Sequence, residues 1–229
     1  MFIPLYDGVA LKYMNRPVVN LALVGINVLV FAAMWLGAFG SNDRIDTALG
    51  VIPAVLFGTA DLAKGLALVP PPATLLTGMF LHGSPGHLLG NMIFLWVFGD
   101  NVEDCLGSLR YLLFYLACGI AGALVYALAL PASEGPLIGA SAAISGVVAA
   151  YWMLYPQVRV FGLVFNVLPL SIPAVYCVGA WIALQIASAL SGGDPEVGWW
   201  AHVGGIAAGA VLVVFLKRRE VRLFSPQRE

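Results

Sequence analysis

Apolar residues run along the chain in six long blocks: Pro17 to Gly40, His87 to Val102, Leu109 to Leu130, Gly139 to Tyr155, Leu170 to Leu190 and Trp199 to Leu216. Each is close to the roughly 20 residues that a helix needs to cross a bilayer, so the pattern predicts six transmembrane helices. The first block is too long for the apolar core of a secretory signal and has no small-residue cleavage site after it. It is read as a retained span. Between Ser41 and Gly86 the apolar pieces are short, and Pro53, Asp61, Lys64 and the triplet Pro70, Pro71, Pro72 interrupt them. Such a stretch belongs at the membrane interface, half sunk among headgroups.

Composition narrows the class. Of 229 residues, 61% are apolar and 10% charged, and the mean hydropathy is +0.92. An average soluble domain is roughly 25% charged, so too few polar side chains are present to coat a water-soluble fold. The formal net charge is −1, and no basic cluster precedes Lys217. A nucleic-acid partner is therefore not expected. Cys105, Cys118 and Cys177 lie in or beside apolar runs without metal-ligand spacing, and read as small packing residues.

Charge sets the orientation. With six spans and an inner N-terminus, nine basic residues fall inside (Lys12, Arg16, Arg110, Arg159, Lys217, Arg218, Arg219, Arg222 and Arg228) and two outside, Arg44 and Lys64. That is a strong positive-inside bias, and a seventh span in the first loop would invert it. The predicted organisation is an inner N-terminal segment at 1–16, a membrane domain at 17–216 and a basic tail at 217–229. Both termini are expected in the cytoplasm, and the membrane is expected to be a prokaryotic cytoplasmic one.

A polar side chain inside a span is expensive, so its position carries information. Three histidines, His82, His87 and His202, all fall at the outer side. His87 and Asn91 open helix two one turn apart, on one face. His82 lies five residues before His87, off that face, and no role is predicted for it. Helix four opens with Gly139-Ala140-Ser141-Ala142, and helix six with Trp199-Trp200-Ala201-His202 followed by a glycine-rich run. Taken singly, each has a plain structural reading: Ser141-x-x-x-Ser145 and Gly205-x-x-x-Gly209 are packing patterns, and tryptophans at span ends are belt residues. Their coincidence at one depth points to chemistry. Small residues around Ser141 and after His202 also let helices four and six approach closely enough for a Ser–His hydrogen bond.

At these residues the chain resembles the rhomboid family of intramembrane serine proteases. Three ordered motifs carry the resemblance: His87-Leu88-Leu89-Gly90-Asn91, Gly139-Ala140-Ser141, and Ala201-His202 with its glycines. Gly99 and Glu103 match a further family pattern near the inner end of the second span. The resemblance implies a rhomboid-like bundle and a Ser141–His202 dyad needing no cofactor or metal. It also implies an oxyanion site made by the Ser141 N–H, His87 and Asn91, and membrane-anchored protein substrates cut at a small residue near the outer face. The residues support the same roles: Ser141 Oγ as nucleophile, His202 as base, and donors at a helix N-terminus. Glu134, Asp194 and Glu196 are expected to be solvated, which leaves no acid to orient His202. The site is expected to open outward, gated by helix five and the loop Ser191 to Gly198.

The chain departs from the family in three places. Ala142 stands where the family usually has Gly, Ser145 stands where some members carry an aromatic, and no Trp-Arg dipeptide occurs. Ala142 is the best support for an alternative, a rhomboid-like protein that binds transmembrane segments without cutting them. A three-histidine zinc site lacks the His-Glu-x-x-His helix of membrane metalloproteases. A transporter would show paired broken helices with midplane charges, and no such pair is present.

Overall fold

The computed structural model describes residues 2–38, 40–165, 167–194 and 196–225. The chain opens with a short strand, β1 (Phe2–Tyr6), followed by α1 (Val18–Trp35). The first loop folds into α2 (Asn42–Leu49), α3 (Pro53–Leu56), a 3-10 turn at Pro71–Ala73, α4 (Thr74–Thr77) and a second 3-10 turn at Gly78–Phe80. None of these is long enough to span a bilayer. Then come α5 (Pro85–Leu106), α6 (Ser108–Ala129), α7 (Ser141–Leu154), β2 (Arg159–Val164), β3 (Leu168–Pro173), α8 (Ala174–Ser191) and α9 (Trp199–Leu216).

All six predicted helices form, with shifted ends. By length and composition α1, α6, α8 and α9 can cross a membrane. The other two fall short of that test for different reasons. α5 has 22 residues but polar ones along its length, His87, Asn91, Asp100, Asn101, Glu103 and Asp104, and α7 is apolar but only 14 residues long. At 1.5 Å per residue α7 is about 21 Å long, against a hydrocarbon core of about 30 Å. It is nevertheless the centre of the bundle, with eleven of its fourteen residues buried.

Two glycine-rich contacts set the distances around α7. A methyl added at Gly205 or Gly209 of α9 would run into the Ala142 carbonyl or the Gly146 backbone. At Gly122 of α6 a methyl would lie 2.8 Å from the Ala142 Cβ, and at Gly204 it would lie 2.7 Å from the Val125 Cβ. Backbones in this close contact are the usual means of holding helices together in lipid, where burial of apolar surface gives no drive between them.

The end of the bundle that carries β1 and the segment following α9 is tied by carboxylates. Glu103, fully buried, accepts from the Val19 and Asn20 N–H groups at 3.1 and 2.7 Å and from Ser108 Oγ at 2.6 Å. An anion at the start of α1 meets its free N–H groups and its macrodipole. Asp104 accepts from Lys12 N and Tyr13 N at 2.8 Å each. Gly99 is required because a Cβ there would meet the Tyr111 hydroxyl at 2.7 Å and the Asn20 amide.

Three strands were not expected in an all-helical chain. β1, β2 and β3 form one antiparallel sheet in that order. Helix five therefore begins at Ala174, not Leu170, because Leu168–Pro173 pairs as a strand and Pro173 directly precedes the helix. After α9 the chain turns back onto this end: Arg218 N donates to the Cys105 carbonyl at 2.9 Å, and Phe224 N donates to the Met153 carbonyl at 2.8 Å. Arg228 and the last residues of the predicted basic tail lie outside the described residues. The three cysteines are buried and unpaired, as packing residues would be.

Candidate active site

The site lies at the opposite end, where α5, α7 and α9 all begin. Gly139 has φ +115°, a conformation that L side chains rarely adopt, and from it the chain turns into α7. Ser141 is the first residue of that helix, so its N–H has no partner within the helix and points out of its positive end. Ser84 caps α5 by accepting from His87 N at 3.1 Å, and Pro85 follows at the first helical position. This fixes His87 and Asn91 at the mouth of the bundle.

The geometry brings the four expected residues together. His202 Nε2 lies 2.9 Å from Ser141 Oγ. A Cβ built on Gly139 would meet His87 Nε2 at 2.6 Å and Asn91 Nδ2 at 3.7 Å, so both nitrogens converge two residues before the serine. Glycine is demanded at 139 by both its φ and this approach. Ser141, His87 and His202 are half-buried, and Asn91 is buried.

Two residues enter the site that the sequence reading left out. Gln185, in the middle of α8 and 4% exposed, places Oε1 2.7 Å from His202 Nδ1. His82, given no role from its spacing, is buried and places Nε2 3.0 Å from Asn91 Nδ2. The five-residue offset takes His82 off the helical face, but it lies in the loop before α5, where helical geometry does not apply. Burial and the neighbouring His87 push the His82 imidazole down to about 4, so it is neutral at pH 7 and can accept from the Asn91 amide. The second Asn91 N–H stays free for the site. A polar residue inside an otherwise apolar span was the available signal for Gln185.

The departures from the family pattern also find their places. The Ala142 methyl faces Gly122 on α6. Ser145 is buried, and its Oγ donates to the Ser141 carbonyl at 2.7 Å. Glu134, Asp194 and Glu196 are exposed. A small cavity beside Ser141 is lined by Met79, Gly119, Ala123, Leu137 and Ala201.

Such a molecule is a polytopic helical membrane protein with a serine–imidazole pair at one end of its bundle. The rhomboid domain profile matches residues 72–219, and the chain belongs to the rhomboid family. It is 30% identical over 216 residues to Rhomboid protein 1, mitochondrial, of Saccharomyces cerevisiae, covering 88% of this chain and 56% of that protein. It is 27% identical to RHOMBOID-like protein 12, mitochondrial, of Arabidopsis thaliana, covering 65% of this chain and 48% of that one. It is 25% identical to Rhomboid protease GluP of Bacillus subtilis, covering 85% of this chain and 34% of that protein. The chain thus spans about half or less of the length of these relatives. Relatives from yeast, plant and animals carry mitochondrial names, which overturns the expected prokaryotic cytoplasmic membrane. Placement as a multi-pass membrane protein stands.

Proposed function

We propose that the chain is an intramembrane serine endopeptidase that hydrolyses peptide bonds in or near the transmembrane segments of membrane-anchored proteins. The observation that carries this reading is the 2.9 Å contact between Ser141 Oγ and His202 Nε2, with His87 and Asn91 converging beside it. Ser141 Oγ attacks the scissile carbonyl while its proton passes to His202 Nε2. Negative charge developing on the carbonyl oxygen is met by the Ser141 N–H, His87 Nε2 and Asn91 Nδ2, each such donor being worth about 3 to 4 kcal/mol of barrier. The tetrahedral species collapses, the C–N bond breaks, and His202 returns the proton to the leaving amine. Water, deprotonated by the same imidazole, then cleaves the acyl-serine ester and frees the acid and the hydroxyl.

Residues 17–216 form the membrane domain on this reading, with 1–16 and 217–229 on its positively charged side. On the same reading the short α7 leaves Ser141 below the opposite membrane surface, where a substrate helix must unwind to present its carbonyl.

The test is labelling by a fluorophosphonate together with cleavage of a model transmembrane substrate in liposomes. The wild-type protein is expected to do both, and Ser141→Ala and His202→Ala neither. A wild-type protein that does neither, while still retaining a transmembrane segment in pull-down, would replace this reading with the non-cleaving binder.

A further inference from the structure

We propose that Gln185 is the positioning residue of the Ser141–His202 pair: its side-chain carbonyl accepts the Nδ1–H of His202 and holds the imidazole with Nε2 bare toward the serine. The inference rests on the protease reading for its kinetic consequences, but its structural content stands apart from turnover.

The argument begins with what each atom can do. An amide oxygen only accepts, so the 2.7 Å contact of Gln185 Oε1 with His202 Nδ1 requires the proton to be on Nδ1. A neutral imidazole with its proton there has an acceptor at Nε2, and that nitrogen lies 2.9 Å from Ser141 Oγ. This is the form a general base needs. With no carboxylate at this position, the carbonyl dipole does the orienting without a buried charge, whose desolvation in a membrane bundle would be costly. Gln185 is also the one amide in an 18-residue apolar helix, and it is buried.

The placement adds a coupling. Ser141 and His202 sit on α7 and α9, which are locked by glycine contacts, whereas Gln185 comes from α8. Of the 18 residues of α8 only Ala174, Cys177, Val178, Gln185 and Ala189 are buried. Outward movement of α8 therefore removes the acceptor from Nδ1 and leaves the serine–imidazole distance intact.

A purely structural amide, joining α8 to α9, would affect folding alone, so the test reads the imidazole itself. Around His202, α7 presents Ser141, α5 presents His87, α8 presents the neutral Gln185, and α6 presents Gly122 and Val125 against α9. Gln185→Leu, similar in volume, is expected to lower kcat about 10- to 100-fold and slow fluorophosphonate labelling equally, with KM changed less than about threefold. Gln185→Glu is expected to retain most activity and to move the acid limb of the kcat/KM profile to higher pH, because a carboxylate favours the imidazolium. The nitrogen-15 spectrum of histidine-labelled protein needs no turnover: His202 should show protonated Nδ1 and bare Nε2 in the wild type, and a mixture in Gln185→Leu. Wild-type tautomer and kcat in Gln185→Leu, or an unmoved acid limb in Gln185→Glu, would overturn the inference. A wild-type protein that does not cleave, yet shows the tautomer change, would sink the protease reading and keep the positioning role.

Discussion

Ser141 and Ser145 are one helical turn apart, and their hydroxyls do different things. Ser145 Oγ is committed to the Ser141 carbonyl, while Ser141 Oγ faces His202. Ser145→Ala is accordingly expected to keep labelling and cleavage within about threefold of wild type, whereas Ser141→Ala loses both, a contrast read directly in the liposome assay. Ala142 is expected to be equally quiet: because its methyl faces Gly122, Ala142→Gly should change the rate by less than about tenfold, or roughly 1.4 kcal/mol of barrier. His82 is expected to matter more than its spacing suggested. It is bonded to Asn91, so His82→Leu should lower kcat roughly 10- to 100-fold, approaching the loss in Asn91→Ala, while Ser141 still labels.

At the scale of elements, backbone contact between α6, α7 and α9 fixes the site. Gly122→Ala would place a methyl 2.5 Å from the Ala201 carbonyl and 2.8 Å from the Ala142 Cβ. The expected cost is about 1 to 3 kcal/mol of stability, and pairing it with Ala142→Gly should recover part of that loss in a thermal melt. Glu103→Gln should cost roughly 2 to 3 kcal/mol by weakening hydrogen bonds to the start of α1, without touching the imidazole. The helices and the Ser141, His202, His87 and Asn91 constellation were legible because polar residues stand out in apolar spans and glycines mark close approach. The sheet was not legible, since a short apolar run such as Leu168 to Pro173 reads equally well as the start of a helix. Gln185 escaped for another reason: its partner lies 17 residues away on the next helix, and the face it presents is set by how α8 packs.

On the scale of the whole molecule, the two ends of the bundle are held by different forces. Buried carboxylates tie the N-terminal segment and the starts of α1 and α6 to the end of α5 at one end, and main-chain contacts bring serine and imidazole together at the other. The 14-residue α7 links them and measures about 21 Å whatever bilayer surrounds it. Biological bilayers range from about 27 to about 33 Å in hydrocarbon thickness, so the layer covering Ser141 would vary from about 6 to about 12 Å. Membrane thickness would then act as a ruler for the cut. In liposomes of longer-chain lipid, a helical substrate is expected to be cleaved up to roughly four residues deeper from its outer boundary, as read by mass spectrometry of the products. A cut that stays at one residue in every lipid would mean that the substrate's own sequence, and not the membrane, chooses the bond.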